Sequence, residues 1–425
     1  MHSPDPLITV DLKKIPPLAA LAEDWRELET RASPSFFLTW TWIGNWLASL
    51  GDHVQQGWLL SARLQGRLVG LAVVFDAPIR RRLLPMGRAA YLNETGLPEF
   101  DALCIEHNGI LLDTRFAALT QRSMLARVFE ANPRWREVHV REAGVGLPDM
   151  LSQSFGRAFQ RGESRECHLV DLARVRARDG DYLSLLSAGR RAHIRRCLRA
   201  YAAVGPLELT VAHDVPTALT YLERLIALHD QRWAERGGTS GFSGAFCRAF
   251  HKRLVTQAVP LGEVQLIRVT VGGRELGYLY SFVFQGRVCF YQSGYDYHLL
   301  DPKYSPGLVT LVLAIRHNAE AGMGVFDFLA GNQAYKASLA TDRAELVSWT
   351  VQRRSVLSMI ERALRWKLRL MRRLWTRLQG VGKRGGAGAA AAVFCLGALA
   401  AAGTECLDEE SGDLYRAVEA TAQLY

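Results

Sequence analysis

The sequence predicts a mixed α/β (α+β) fold built from two copies of one unit, two mixed β-sheets flanked by helices, followed by a C-terminal amphipathic helix. Three observations carry this prediction. An order of three strands, a helix and a strand occurs twice, roughly 200 residues apart, as expected of a tandem repeat. Both copies carry a similar turn after their first strand, Gly66-Arg67-Leu68-Val69-Gly70 and Gly273-Arg274-Glu275-Leu276-Gly277. Downstream, Leu357, Ile360, Leu364, Leu368, Met371, Trp375 and Leu378 recur at steps of three and four, with arginines opposite.

In the first copy, Trp58 to Phe75 reads as a hairpin, because two strand-like runs flank Gln65-Gly66-Arg67. A helical stretch from Thr114 to Glu130 and a short strand from Glu137 to Arg141 complete it. In the second copy, Val264 to Val271 passes through Gly272-Gly273 into Leu276 to Phe284, and Gln285-Gly286 leads to Val288 to Ser293. The helix there is Gly307 to Ala321 and the strand Val325 to Leu329. Between the copies, Asp181 to Ala203 has helical composition. Pro216 to Glu235 places Leu219, Leu222, Leu225, Ile226 and Trp233 at helical spacing. The expected organisation is therefore residues 1–172, 173–352 and 353–425.

The chain has 425 residues, 49% hydrophobic and 22% charged, enough to bury a large core and too apolar for a disordered tail. Its net charge of +10 suggests an anionic partner until the charges are located. Eleven basic residues lie between Arg353 and Arg384 against one acidic residue, Glu361, which leaves the remainder electrically balanced. A globally basic nucleic-acid-binding body is thus not expected, and DNA is not an expected partner. The basic amphipathic segment 355–378 suits an anionic membrane surface; the alternative is a helix docked on its own core with solvated arginines. Ala387 to Gly403 is shorter than the ~20 apolar residues a spanning helix needs. Seven scattered cysteines without a C-x-x-C pair fit reduced thiols, and the N-terminus lacks a secretory pattern. The expected compartment is the cytoplasm, with a peripheral position at the inner membrane face as the extension of the helix reading.

The densest polar and aromatic cluster runs from Tyr291 to Lys336. Strand, glycine-containing turn and helix start bring unpaired N–H groups and the positive helix end to one point, which suits phosphate. Pro306 fits the first helical turn, where its missing N–H costs nothing. On the strand expected over 325–329, Asp327 sits between Phe326 and Phe328; alternation turns it away from both rings, toward a cleft or solvent. Arg191, Arg195 and Arg199 recur every four residues on the first linking helix, where guanidinium forks could hold a phosphate or simply meet water. Asp296 and His298 lie on a turn, where an Asp commonly satisfies local N–H groups.

These residues resemble a known family. Ser305-Pro306-Gly307 opening a helix, Phe326-Asp327-Phe328 with Gly331, and Tyr335-Lys336 are similar to the CelD/BcsL group of GNAT-superfamily acyltransferases. His229-x-x-Arg232-Trp233 and Arg190-Arg191-x-x-Ile194-Arg195-Arg196 upstream add to the likeness. The group is related to the FemABX aminoacyl transferases. The resemblance covers about residues 30 to 350 and is sharpest from Ser305 to Lys336. It implies a tandem GNAT-like acyltransferase fold and an enzyme that passes an acyl group, in the first place acetyl from acetyl-coenzyme A, to an amine or hydroxyl. It further implies a role in exopolysaccharide or cellulose-associated biosynthesis. By the resemblance, Ser305, Gly307 and Leu308 would hold the acyl-coenzyme A, and Tyr335 would be the acid for the leaving thiolate. Lys336 would stabilise the oxyanion or hold a phosphate, and Asp327 would act as base or acceptor anchor. Arg191, Arg195, His229, Arg232, Trp233 and Asp296 are the expected substrate contacts. Structural alternatives are an aromatic packed on the sheet at Tyr335, an exposed lysine at Lys336, and core residues at His229 and Trp233.

The usual Gln/Arg-x-x-Gly-x-Gly/Ala run of GNAT enzymes is replaced by Lys303-Tyr304-Ser305-Pro306-Gly307-Leu308, with a single glycine. That departure supports two alternatives, an aminoacyl-tRNA donor as in FemABX proteins and a non-catalytic membrane-docked scaffold. No G-x-S-x-G, P-loop, H-E-x-x-H or EF-hand pattern occurs. No metal is expected.

Overall fold

In the computed structural model, residues 8–79, 87–144, 159–301, 303–331 and 333–353 are described, together with Met359, Lys367 and Met371. The amphipathic segment 355–378, apart from those three positions, and the tail beyond it lie outside the described residues.

The chain opens with β1 (Ile8–Lys14), α1 (Leu18–Glu29), α2 (Trp40–Ser49), β2 (Trp58–Leu64), β3 (Arg67–Pro78) and β4 (Arg88–Leu92). It continues through α3 (Pro98–Asp101), β5 (Leu111–Leu112), α4 (Ala117–Ala131), β6 (Trp135–Gly144) and β7 (Phe159–Asp171). Next come α5 (Leu172–Arg176), α6 (Ala188–Ala202), β8 (Leu207–Val211), α7 (Val215–Glu235) and α8 (Ala245–Ala258). The last part holds β9 (Val264–Val271), β10 (Arg274–Phe284), β11 (Arg287–Tyr295), α9 (Pro306–Glu320), β12 (Val325–Ala330), α10 (Ala334–Leu339) and β13 (Asp342–Gln352).

The turns explain the hairpins. Gln65-Gly66, Gly272-Gly273 and Gln285-Gly286 each place two consecutive residues at positive φ, the backbone of a tight hairpin whose twist matches its strands. Helix starts are equally local: Thr39, Asp171, Ser187, Asp214 and Ser305 each accept a hydrogen bond from a first-turn N–H.

The strands form one mixed sheet of 13, in the order β1-β2-β3-β4-β6-β13-β7-β12-β11-β10-β9-β8, with β5 alongside β3. The order is a pseudo-twofold: β1 to β4 and β6 correspond to β8 to β12 read from the opposite edge. Two mixed sheets were the expectation; they are joined edge to edge, because each repeat lends its last strand to the other. β7 follows β6 in the chain but pairs with β12, and β13 follows β12 but pairs with β6. The two exchanged strands then pair with each other, from Asp342 opposite Leu169 to Val351 opposite Phe159.

Helices cover both faces of each half, so the middle strand of each half is buried on both sides; Leu68 to Phe75 in β3 and Leu276 to Phe282 in β10 are all buried. On one face α1, α2, α7 and α8 share a core in which the halves interlock: Phe36 stacks on Phe282 at 4.5 Å, and Trp42 meets Phe250 edge-on at 5.0 Å. Aromatic pairs of this kind add about 0.5–1.5 kcal/mol each beyond area burial. On the other face α4 covers the first half, and α5, α6 and α9 the second. No described helix is long and apolar enough to cross a membrane.

Candidate active site

The site arises where two parallel strands part. β11 and β12 pair only over Arg287–Cys289 and Val325–Asp327. Beyond that they splay, and the notch holds a cavity of about 130 Å³. Its walls are Phe290 to Ser293 of β11, Phe328 to Gly331 at the end of β12, Tyr335 and Lys336 of α10, Phe242, Cys247 and His251 near α8, Arg165 of β7, and Cys104 and Glu106 of the first repeat.

Both strands are irregular here. β11 carries an extra residue, Tyr291, against β10, because Tyr280 faces Gln292 while Ser281 faces Phe290. β12 carries one against β7: Asp327 faces Leu169 and Ala330 faces Cys167. Leu329 within this bulge has a φ of +60°, unusual for a leucine. The first repeat has the same bulge in β6, where Glu142 has a φ of +47°. Its notch, however, is closed by its own chain. Asn108 bridges to Ala143, donates to the Leu92 carbonyl at 2.9 Å and accepts from Asn93 at 2.9 Å. The repeats thus share a frame, and the second one keeps its notch open.

Polar groups at the cavity are held by bonds across the repeats. Glu106 Oε2 accepts the Ala330 N–H at 2.6 Å, and Lys336 Nζ donates to the Ala330 carbonyl at 2.9 Å, so the backbone of one residue is held through both of its peptide groups. Burial pushes the Glu106 carboxyl up to about 7, aided by the Glu142 charge and opposed by Lys336. Burial also lowers the Lys336 ammonium, although Glu106 favours its charged form. Tyr335, half-buried, meets Phe328 edge-on at 6.4 Å. His251 is fully buried, pushed down to about 3 by desolvation, with Nδ1 3.3 Å from the Tyr280 hydroxyl and Nε2 3.4 Å from that of Tyr291.

Asp327 faces neither cleft nor solvent, which corrects the expectation from strand alternation. The chain bends at the bulge directly after it, and the carboxylate is buried at the seam of the repeats. It accepts from Leu329 N–H at 2.8 Å and Arg287 at 2.9 Å, and pairs with His107 Nε2 at 3.0 Å. These partners outweigh desolvation and hold it below the usual carboxylate range. His107, Cys167 and Asp327 have donor atoms within 4.8 Å of one another, but one Asp327 oxygen already pairs with His107 and Arg287 and the other accepts the Leu329 N–H. The group is an ion network of the seam.

The other predicted residues fall in three places. Ser305 caps α9, Leu308 is buried in the core and Gly307 abuts the Tyr295 ring, 3.0 Å from where a Cβ would stand; none of the three lines the cavity. α6 leans on this helix start, since Tyr201 donates to the Tyr304 carbonyl at 3.0 Å. Arg195, Arg196 and Arg199 are exposed there, Arg191 is half-buried against the Leu186 carbonyl, and Lys303 is close enough to feel Arg196. His229 and Trp233, expected in an acceptor channel, are core residues. Trp233 Nε1 donates to His229 Nε2 at 3.2 Å, His229 Nδ1 meets Ser240 Oγ at 3.0 Å, and burial pulls the imidazole down to about 4. Arg232 stacks over Tyr297 at 4.0 Å and, with Asp296 and His298, borders a surface notch of about 10 Å³. That volume is at the lower bound for a single water.

Glu106, Arg165 and His251 are site residues that sequence reasoning missed. None sits in a motif, and Glu106 lies 224 positions before the residue it binds.

Residues 188–337 match the family model described as an acetyltransferase (GNAT) domain. Solved structures of similar fold include FemX, 10% identical with a TM-score of 0.51 over 79% of this chain and 96% of that one. Another is L-PGS from Bacillus licheniformis, 10% identical with a TM-score of 0.50 over 82% and 95%. No curated protein matches the chain significantly. The matched domain makes the chain an acyltransferase, and it contains β11, α9, β12 and α10, the elements that frame the open notch.

Proposed function

We propose that the protein moves an acyl group, acetyl from acetyl-coenzyme A in the first instance, onto an amine or hydroxyl in the cavity of the second repeat. The open notch between β11 and β12, inside the matched GNAT domain, is the observation that carries this reading. Tyr335 at the cavity wall supplies the proton for the leaving thiolate. Lys336 fixes the bulge through the Ala330 carbonyl and leaves positive potential beside the developing oxyanion. The donor's phosphates lie outside the cavity at the start of α9, where the arginines of α6 and Lys303 add to the helix dipole. The first repeat, its notch filled, acts as scaffold and as one wall. The Ser305 to Lys336 resemblance supports a cytoplasmic place in exopolysaccharide or cellulose-associated biosynthesis. The site assignment is tested by coenzyme A thiol release in Tyr335→Phe and Lys336→Ala; unchanged turnover in both rejects it.

A second reading rests on a specific feature of the helix start. Pro306 has no N–H and the Leu308 N–H is taken by the Ser305 cap, leaving few amides for a pyrophosphate. An aminoacyl-tRNA donor spread over α6 would rely less on them. Transfer that survives ribonuclease treatment rejects it.

A further inference from the structure

We infer that Glu106, a residue of the first repeat, is the base that takes the acceptor's proton in the cavity of the second repeat. The inference rests on the acyltransferase reading and names the group that makes the acceptor nucleophilic.

Position comes first. Among the described residues lining the cavity, Glu106 is the single carboxylate. Its Oε2 is anchored by the Ala330 N–H, which fixes the side chain at the bulge, in the lining of the cavity. The other candidate bases are occupied: His251 has a tyrosine hydroxyl at each ring nitrogen, Lys336 donates to the Leu329 and Ala330 carbonyls, and Asp327 is enclosed by Arg287, His107 and the Leu329 N–H.

The charged and titratable groups around Glu106 come from every packed element: Cys104 and His107 on its own segment, Glu142 on β6, Arg165 and Cys167 on β7, Cys289 and Tyr291 on β11, Asp327 on β12, and Lys336 on α10. Burial and Glu142 raise its affinity for a proton, and Lys336, His107 and the Ala330 N–H lower it. The balance near 7 suits general-base work at neutral pH.

The step balances with the groups already named. The acceptor nitrogen or oxygen attacks the thioester carbonyl, its proton passes to Glu106, and the new N–C or O–C bond forms as the C–S bond breaks. The thiolate leaves with the Tyr335 proton, and solvent restores both side chains.

The test uses the full chain with acetyl-coenzyme A as donor, ethanolamine and hydroxylamine as probe acceptors, and thiol release from pH 5.5 to 9 as readout. Hydroxylamine is largely unprotonated at neutral pH and depends less on a base. Wild-type release with ethanolamine, expressed per unprotonated amine, should fall tenfold per pH unit below about 7, and Glu106→Gln should lower it about 100-fold to 1,000-fold and remove the bend, with hydroxylamine release changed about threefold at most. Glu106→Asp should restore part of the rate and keep a bend, and carries the same reading if Glu106→Gln does not fold. A Glu106→Gln chain that keeps rate and bend, or loses both acceptors equally, overturns the inference and leaves the acyltransferase reading standing. A wild type that releases no thiol with either acceptor overturns both.

Discussion

Asp327 shows how far residue-level reasoning reaches. Its flanking phenylalanines are plain in the sequence, and both rings are buried in the core beside α9, as alternation implies. What the pattern omits is that the opposite face of β12 meets the other repeat, so the carboxylate finds His107 instead of water. Tyr335 and Lys336 were legible because they are local to a motif; Glu106 was not, because its role depends on a contact across the fold. Asp327→Asn should cost about 1–3 kcal/mol at pH 7 by weakening hydrogen bonds to charged partners. Because the fold lowers this carboxyl's pKa, its contribution is present above the unfolded value and is lost as pH falls through the folded one. Urea midpoints should therefore show the deficit of the variant shrinking below about pH 4; a pH-independent deficit contradicts the ion network. Glu29 has the opposite sign. Burial pushes its carboxyl from 4.5 up to about 7, so the stability it contributes as a neutral acid is lost as pH rises across that window. Glu29→Gln, which keeps an acceptor for the Trp40 N–H, should gain on wild type between pH 4.5 and 8.

Among the elements, the hairpins and the helices α4, α7 and α9 could be read directly, since turn glycines and helical spacing are local signals. The bulges in β6 and β12 could not, because an extra residue is defined only against a partner strand. Neither could the reason for Gly294, which lies in a strand and looks interchangeable with alanine. A Cβ there would stand 2.4 Å from the Leu225 carbonyl oxygen, so α7 rests directly on the backbone of β11. Gly294→Ala should therefore destabilise by about 1–3 kcal/mol, the cost of overpacking a close contact. Thermal unfolding checks this, and a neutral substitution would mean that α7 does not sit this close.

For the whole molecule, the duplicated order was visible and the exchange of β7 and β13 was not, because strands paired across more than 150 positions leave no local trace. The exchange makes the repeats interdependent. Residues 1–172 lack β13 and expose the edge of β6; residues 173–352 lack β7 and expose that of β12. Bare edges of this length favour aggregation, so neither fragment should fold alone as a monomer, whereas mixing them should recover cooperative unfolding. A monomeric, cooperatively folded 173–352 would contradict the exchange. The same interdependence gives the first repeat a role in the site without a ligand of its own, because the segment that plugs its notch also carries Glu106 and His107 to the other. The most direct test of the central claim is calorimetric titration of acetyl-coenzyme A into the chain and into Ser293→Trp, which fills the notch from β11. The account predicts stoichiometric binding to the wild type that is weakened or lost in a folded variant. Absence of binding to the wild type, or equal binding to both, would contradict it.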